Sequence, residues 1–238
     1  MALRGSLLIS VVIPAFNEEK YIKFCLLSLR NQSADGHEVI VVDGGSTDRT
    51  VSIAEEFADR VIVEAVTPVG AARNLGAKYA KGDIVAFMDA DTIASRGWIN
   101  AIRDSTNKNG VVGVTGPTLP IGGSDLDRLL YRVCTDHIQR FLIVLKLPHV
   151  PGFNCAYRKD ALLSVGGFDE SRVTHEDMLL SMDLKEIGRI TYNPEMLAFT
   201  SLRRVDRYGY DRIVPLYVSN FFLTLLFGKS CKNYNPIR

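Results

Sequence analysis

Two carboxylates one residue apart, Asp89 and Asp91, end the apolar run Ile84-Val85-Ala86-Phe87-Met88. Such a run reads as a strand, and side chains alternate faces along it. Both carboxylates would therefore point the same way if extended geometry continues through Ala90. Hard oxygen ligands at the carboxyl end of a strand suit a Mg²⁺ or Mn²⁺ that keeps water and phosphate in its other positions. The plainer alternative is a turn whose aspartates cap a helix after Thr92. A second acidic pair, Glu176-Asp177, follows His175 at the start of a helix, where the dipole alone favours acids. As chemistry, one of these carboxylates would draw the proton from an acceptor hydroxyl while its neighbour orients it. Asp43 closes another apolar run and opens Gly44-Gly45-Ser46-Thr47-Asp48. The G-x-G-x-x-G spacing is missing there, so the turn serves either as a helix cap or as a nucleotide contact. Arg73-Asn74 would set a guanidinium against a diphosphate, or stand as a surface cation. The four histidines are too scattered for a zinc site.

These residues need a frame, and the pattern supplies one. Leu7 to Pro14 reads as a buried strand, and a helix opens at Asn17-Glu18-Glu19 and runs to about Arg30. Val39 to Val42 is a second strand, with Ser46 or Thr47 capping a helix to about Phe57. Arg60 to Val63, a helix from Gly70 to Ala80 and the Ile84 to Met88 strand follow. Strands alternating with helices at this spacing predict right-handed βαβ units and a mostly parallel sheet. Ligands then belong beyond the carboxyl ends of the strands, where Asp43, Asp89 and Asp91 fall. A helix over Trp98 to Asn107 and a strand over Val111 to Thr115 continue the rhythm. It then changes to a long amphipathic helix, Leu126 to Leu145. A strand within Gly152 to Arg158, a glycine turn at Gly166-Gly167, a helix from His175 to Gly188, a short strand at Ile190 to Tyr192 and an apolar helix complete the chain.

With 238 residues, 47% hydrophobic and 23% charged, the chain is sized for one α/β domain with one substantial core. A net charge of +1 gives no reason to expect nucleic acid as a partner. The cysteines Cys25, Cys134, Cys155 and Cys231 lack metal spacing and read as reduced thiols of a cytoplasmic protein. Met1 to Gly5 lacks the apolar region of a signal peptide, and no run reaches the length of a membrane span.

Val12-Ile13-Pro14-Ala15-Phe16-Asn17-Glu18, Val42-Asp43-Gly44-Gly45-Ser46-Thr47-Asp48, Asp89-Ala90-Asp91, Gly166-Gly167-Phe168-Asp169-Glu170 and His175-Glu176-Asp177 occur in this order. In order and spacing the series resembles the family 2 glycosyltransferases over roughly Leu7 to Gly188. The resemblance implies the GT-A fold, a nucleotide-diphosphate sugar donor, a divalent metal and inversion at the anomeric carbon. By the same resemblance Pro14, Phe16, Glu18 and Asp43 line the nucleoside, and Asp89 approaches the ribose or donor sugar. Asp91 holds the metal, Arg73 contacts the diphosphate, and Asp177 is the base. One domain, 1–238, would then comprise a nucleotide-sugar half (about 1–118) and an acceptor half (about 119–238).

Gly44 stands where many relatives carry a second acid that reads the nucleobase, which leaves UDP- and GDP-sugars both open. The Gln-x-x-Arg-Trp motif of processive synthases is missing. Ser201-Leu202-Arg203-Arg204 lies in the comparable region, with Arg203 and Arg204 placed to clamp a diphosphate or an anionic lipid, or simply solvated. This favours the addition of one sugar or a few. The apolar Ile213 to Phe227, flanked by Arg207, Arg212, Lys229 and Lys232, suits a helix lying in a membrane interface. It suits a docked helix or an oligomer contact equally. An acceptor that is a saccharide or lipid-linked saccharide follows from the first of these, since a hydroxyl needs the base that Glu176-Asp177 supplies. The rival functions are a sugar-phosphate nucleotidyltransferase, although Ala15-Phe16-Asn17-Glu18 is not its glycine-rich basic loop, and a non-catalytic nucleotide-sugar or membrane-associated binding protein.

Overall fold

A computed structural model describes residues 7–65, 68–172 and 174–227. In chain order the elements are β1 (Ile9–Ala15), α1 (Ile22–Arg30), β2 (His37–Asp43), α2 (Thr50–Phe57), β3 (Arg60–Val63), α3 (Val69–Tyr79), β4 (Ile84–Met88), β5 (Thr92–Ala94), α4 (Trp98–Thr106), β6 (Val111–Thr115) and β7 (Thr118–Pro120). They continue with α5 (Asp125–Arg132), a π-helical segment (Val133–Ile138), α6 (Gln139–Val144), β8 (Asn154–Arg158), α7 (Lys159–Ser164), α8 (Glu176–Ile187), β9 (Arg189–Tyr192), β10 (Ala198–Thr200), α9 (Arg203–Tyr208) and α10 (Tyr210–Phe227).

The main sheet has seven strands in the order β3-β2-β1-β4-β8-β6-β9. The pairs β3–β2, β2–β1, β1–β4 and β6–β9 are parallel; β8 runs antiparallel to both its neighbours. The expected mostly parallel sheet is therefore present, with one reversed strand that periodicity alone does not reveal. A second sheet, β5-β10-β7, had no counterpart in the sequence reading. Its strands are three residues each, too short for an alternation to register.

Alternation splits the core into two layers. Ile9, Val11 and Ile13 of β1 and Ile84, Ala86 and Met88 of β4 face the layer that includes α1 and α4 residues. Val12 of β1 and Val85 and Phe87 of β4 face the other, which includes residues of α3, α7 and α8. Gly76 lets α3 lie on β1, because a Cβ there would collide with the Val12 side chain. Asp89 continues the Val85–Phe87 parity, so it emerges on the α3 side of the sheet. Topology thus delivers this acid to the guanidinium on α3.

Candidate active site

The loops leaving β1 and β2 are tied to each other before they meet anything else. Asn17 adopts φ 56°, a left-handed conformation that asparagine tolerates, so it turns the chain instead of opening the helix. Its backbone N–H donates to Ser46 Oγ at 2.8 Å, and its side-chain oxygen accepts from Thr47 N–H at 2.9 Å. Asp43 is fully buried and closes its own turn, accepting from the N–H groups of Gly45 (3.0 Å) and Ser46 (2.8 Å). Ser46 and Thr47 are thereby occupied, and Asp48 serves the start of α2, accepting from Thr50 N–H at 2.9 Å. The Phe16 ring lies against Gly44, and Pro14 sits half-buried near the end of β1. Glu18 is buried beside them, its N–H held by Thr50 Oγ1 at 2.7 Å.

Glu18 and Asp91 share one cation. Arg203, at the start of α9, places two nitrogens on the two Glu18 oxygens at 2.8 Å each and its Nε on Asp91 at 2.9 Å. Ser201 donates to the same Asp91 oxygen at 3.1 Å. Burial raises the pKa of both acids above the ordinary carboxylate range, and Arg203 works against that rise. The link spans 185 residues of sequence between Glu18 and Arg203. Arg204, whose charge also acts on Asp91, donates to the Tyr217 hydroxyl at 2.7 Å.

Asp89 and Asp91 diverge. The peptide turns at Ala90, where Thr92 N–H donates to the Asp89 carbonyl at 3.0 Å, so extended geometry ends with β4. No helix follows Thr92 either: β5 does. Asp89 meets Arg73, whose buried guanidinium spans Asp89 (3.0 Å) and Glu176 (2.7 Å). The Cβ-less face of Gly152 backs this guanidinium; a Cβ there would fall 2.6 Å from Arg73 Nη1. Arg73 is thus neither a surface cation nor free to swing, and it joins the two acidic motifs directly. Desolvation, with the neighbouring Asp177 charge, pushes Glu176 up to about 7 against the pull of Arg73.

Asp177 is left as the accessible acid of its pair, its side chain 19% exposed against 7% for Glu176. Its carboxylate is fixed by the N–H groups of Gly152 (2.9 Å) and Met178 (2.8 Å). His149 Nε2 lies 4.0 Å away, and its ring stacks on His175 at 5.7 Å between centroids. Burial lowers the pKa of His175, which keeps that ring neutral near pH 7. Neither the approach of His149 to Asp177 nor the bond from Ser201 to Asp91 is legible in the sequence. Nothing in a histidine 28 positions before Asp177, or a serine 110 beyond Asp91, signals proximity without the fold.

Two ion clusters therefore stand where β4 ends, Glu18–Arg203–Asp91 and Asp89–Arg73–Glu176, linked through the backbone at Ala90, with Asp177 following Glu176 in the chain. Among the described residues no three His, Cys, Asp or Glu side chains converge as an all-protein metal cage. A Mg²⁺ or Mn²⁺ that shares substrate phosphates needs only one or two carboxylates, and the chemistry of Asp91 fits one such ligand, while Asp89 is turned to Arg73. The guanidinium held by Asp91 shows that this spot already favours a positive charge. An apolar cavity of about 390 Å³, lined by Ile93, Leu119, Phe199 and Arg128 among others, lies on the small sheet, and none of these acids lines it.

The family model for glycosyl transferase family 2 matches residues 10–166. The chain belongs to that family. The glycosyltransferase AglE of Haloferax volcanii is 30% identical over 181 residues, covering 71% of this chain and 59% of its own length. The putative glycosyltransferase EpsH of Bacillus subtilis is 42% identical over 88 residues, covering 35% and 26%. The match thus spans less than two thirds of these relatives. Among solved structures, the mannosyltransferase PcManGT of Pyrobaculum calidifontis, in complex with GDP-Man and Mn²⁺, superposes with a TM-score of 0.73 at 19% identity, over 96% of this chain and 67% of its own. Residues 1–349 of S. aureus TarS superpose at 0.66 and 22% identity, over 82% and 60%, and the same protein has been solved with UDP-GlcNAc. These likenesses establish the shared GT-A fold that the family resemblance implied.

Proposed function

We propose that the chain transfers a glycosyl group from a nucleotide-diphosphate sugar to an acceptor hydroxyl, with inversion, by a single displacement. The observation that carries this is the ion bridge joining an acid after β4 to an acid at the start of α8 through Arg73. On this reading Glu18, Asp91 and Asp89 would serve the donor and Asp177 the acceptor, with Arg73 tying Asp89 to the start of α8. Pro14, Phe16 and Asp43 would line the nucleoside at the ends of β1 and β2. Neighbours of the same fold bind UDP-GlcNAc and GDP-Man; this chain would take a UDP- or GDP-sugar.

Asp177 takes the proton of the acceptor hydroxyl, and the oxygen attacks the anomeric carbon opposite the leaving diphosphate. Two backbone N–H groups hold the Asp177 carboxylate in place, which fixes the direction of proton transfer. Glu176 does not compete for that proton, because it is buried against Arg73 and acts by positioning the start of α8. Asp91 and Asp89 would hold Mg²⁺ or Mn²⁺, which when bound supplies positive charge against the departing diphosphate. Arg203, with Arg204 behind it, would turn to the same phosphates once Asp91 is otherwise engaged. The acceptor would be a saccharide or lipid-linked saccharide, and the chain would work in the cytoplasm, touching the membrane through 207–232. Of that stretch, 228–232, with Lys229 and Lys232, lies outside the described residues.

The test is product identity with a panel of UDP- and GDP-sugars. Release of nucleoside diphosphate that depends on acceptor and disappears in Asp177→Asn supports transfer. Pyrophosphate made from a nucleoside triphosphate and a sugar phosphate would instead identify a nucleotidyltransferase.

A further inference from the structure

Two helical segments beside the site are inside out. On α10 the residues turned inward and buried are the polar Asn220 and Thr224, while Val214, Val218, Phe222 and Leu226, each four residues apart, are exposed, Leu226 to 67%. On the segment from α5 through α6 the one buried residue is Gln139, whose amide reaches Thr115 Oγ1 at 3.2 Å. Leu126, Leu129, Val133, Ile138, Phe141 and Val144 are exposed, Val144 to 78%. Their spacing is helical except for the step of five from Val133 to Ile138, which coincides with the π-helical segment. A π turn closes i to i+5, so it absorbs the extra residue and keeps the apolar stripe on one side. A buried polar and an exposed apolar row on the same helix, occurring twice, is the reverse of a water-facing helix.

The two stripes belong to neighbouring helices. The Tyr210 hydroxyl at the start of α10 donates to Asp127 of α5 at 2.8 Å. The surface also adjoins the acceptor side: Phe221 lies 5.9 Å from the His149 ring and Tyr217 lies 6.3 Å from that of His175. Around the stripes the exposed cations Arg128, Arg132, Arg140, Lys146, Arg204, Arg207 and Arg212 outnumber the exposed acids Asp125, Asp206 and Asp211, although the chain as a whole carries only +1. A two-fold contact between copies would set this basic border against itself. An anionic bilayer surface complements both the apolar rows and their border.

We propose that α5, the π-helical segment and α6 form with α10 a single surface that seats in an anionic lipid bilayer and brings the Asp177 end of the site to it. This deepens the membrane contact assigned above to α10 by adding a second, non-contiguous element and a lipid charge. The experiment is sedimentation of the full chain with phosphatidylcholine vesicles and with vesicles one quarter phosphatidylglycerol. Binding is expected to the anionic vesicles, at least about tenfold tighter than to the neutral ones, since several Lys and Arg side chains near an anionic surface are each attracted to it. Phe141→Glu with Val144→Glu, at exposed positions outside the ion clusters of the site, is expected to weaken binding at least about tenfold while nucleotide-induced thermal stabilisation persists. Unchanged vesicle binding by this double variant, alongside loss in Phe222→Glu with Leu226→Glu, would confine the contact to α10 and overturn the proposal. So would the absence of binding to either vesicle, or a dimer in light scattering that Phe141→Glu with Val144→Glu converts to monomer. Vesicle binding without glycosyl transfer would leave the surface standing and count only against the enzymatic assignment.

Discussion

Replacing Arg73 by methionine separates two roles for this residue, a bridge between acids and a grip on the donor diphosphate. In the structure its guanidinium holds Asp89 at 3.0 Å and Glu176 at 2.7 Å, and only about a twentieth of its side chain is exposed. Methionine keeps much of the volume and removes the charge, leaving Glu176 buried without a counter-ion. Breaking a buried pair from one side costs about 3–5 kcal/mol. Glu176 has a way to limit that loss: its pKa already stands at about 7, and without Arg73 it rises further, so it takes up a proton near neutral pH. The loss should therefore sit near the lower figure, about 3 kcal/mol. For a domain of this size that lowers the melting temperature by about 6–12 °C. The deficit should shrink as pH falls from 8 to 5.5, because protonated Glu176 needs no partner, and Arg73→Met with Glu176→Gln should recover part of it. Thermal denaturation followed by circular dichroism measures all three. A variant that melts with the wild type at every pH, yet loses donor affinity, would refute the bridging role and restore the diphosphate contact.

Arg203→Ala should bind Mn²⁺ about tenfold more tightly in the absence of nucleotide, read from free Mn²⁺ by electron paramagnetic resonance, because the metal no longer displaces a guanidinium from Asp91; tenfold is 1.4 kcal/mol. Unchanged affinity would mean that Arg203 does not hold that spot in solution. Asp91→Ala should abolish the Mn²⁺ stimulation of donor binding, and full retention in a thermal-shift titration would remove Asp91 from the metal. Glu176→Gln tests the pH dependence. A carboxyl whose pKa is raised on folding binds more protons folded than unfolded, so its contribution to stability declines as pH climbs from about 4.5 through 7. The glutamine variant should show a shallower decline over that window in denaturant titrations; an identical slope would contradict the raised pKa.

The sheet was legible because β1, β2, β4 and β6 are apolar runs that end at glycine, proline or acid, and buried parallel strands need little else. The reversed direction of β8 was not, since Asn154–Arg158 pairs with β4 and β6 through contacts that only the closed fold creates. The site was legible as residue types and obscure as partnerships. Asp89, Asp91, Glu176 and Asp177 announce themselves as paired acids, but which cation each would find depends on strand parity and on a return of the chain. Parity sends Asp89 to α3, while the turn at Ala90 frees Asp91 to meet a residue 112 positions later in the sequence. The type of Asn17 and the acids after it fit an N-cap, yet its tie to Ser46 and Thr47 prevails over that local preference. The Leu126 to Leu145 pattern gave the helix but not its orientation, because periodicity shows that a stripe exists and not whether it faces core or solvent.

Following the anomeric proton by NMR during turnover reads the stereochemistry of the transfer itself. With a UDP- or GDP-sugar of defined configuration and a saccharide acceptor, a single displacement gives a first-formed glycoside of opposite configuration together with nucleoside diphosphate. In Asp177→Asn neither signal should grow, although the donor still binds. A product that keeps the donor's configuration, or an Asp177→Asn variant that turns over at the wild-type rate, would contradict a single displacement driven by that carboxylate.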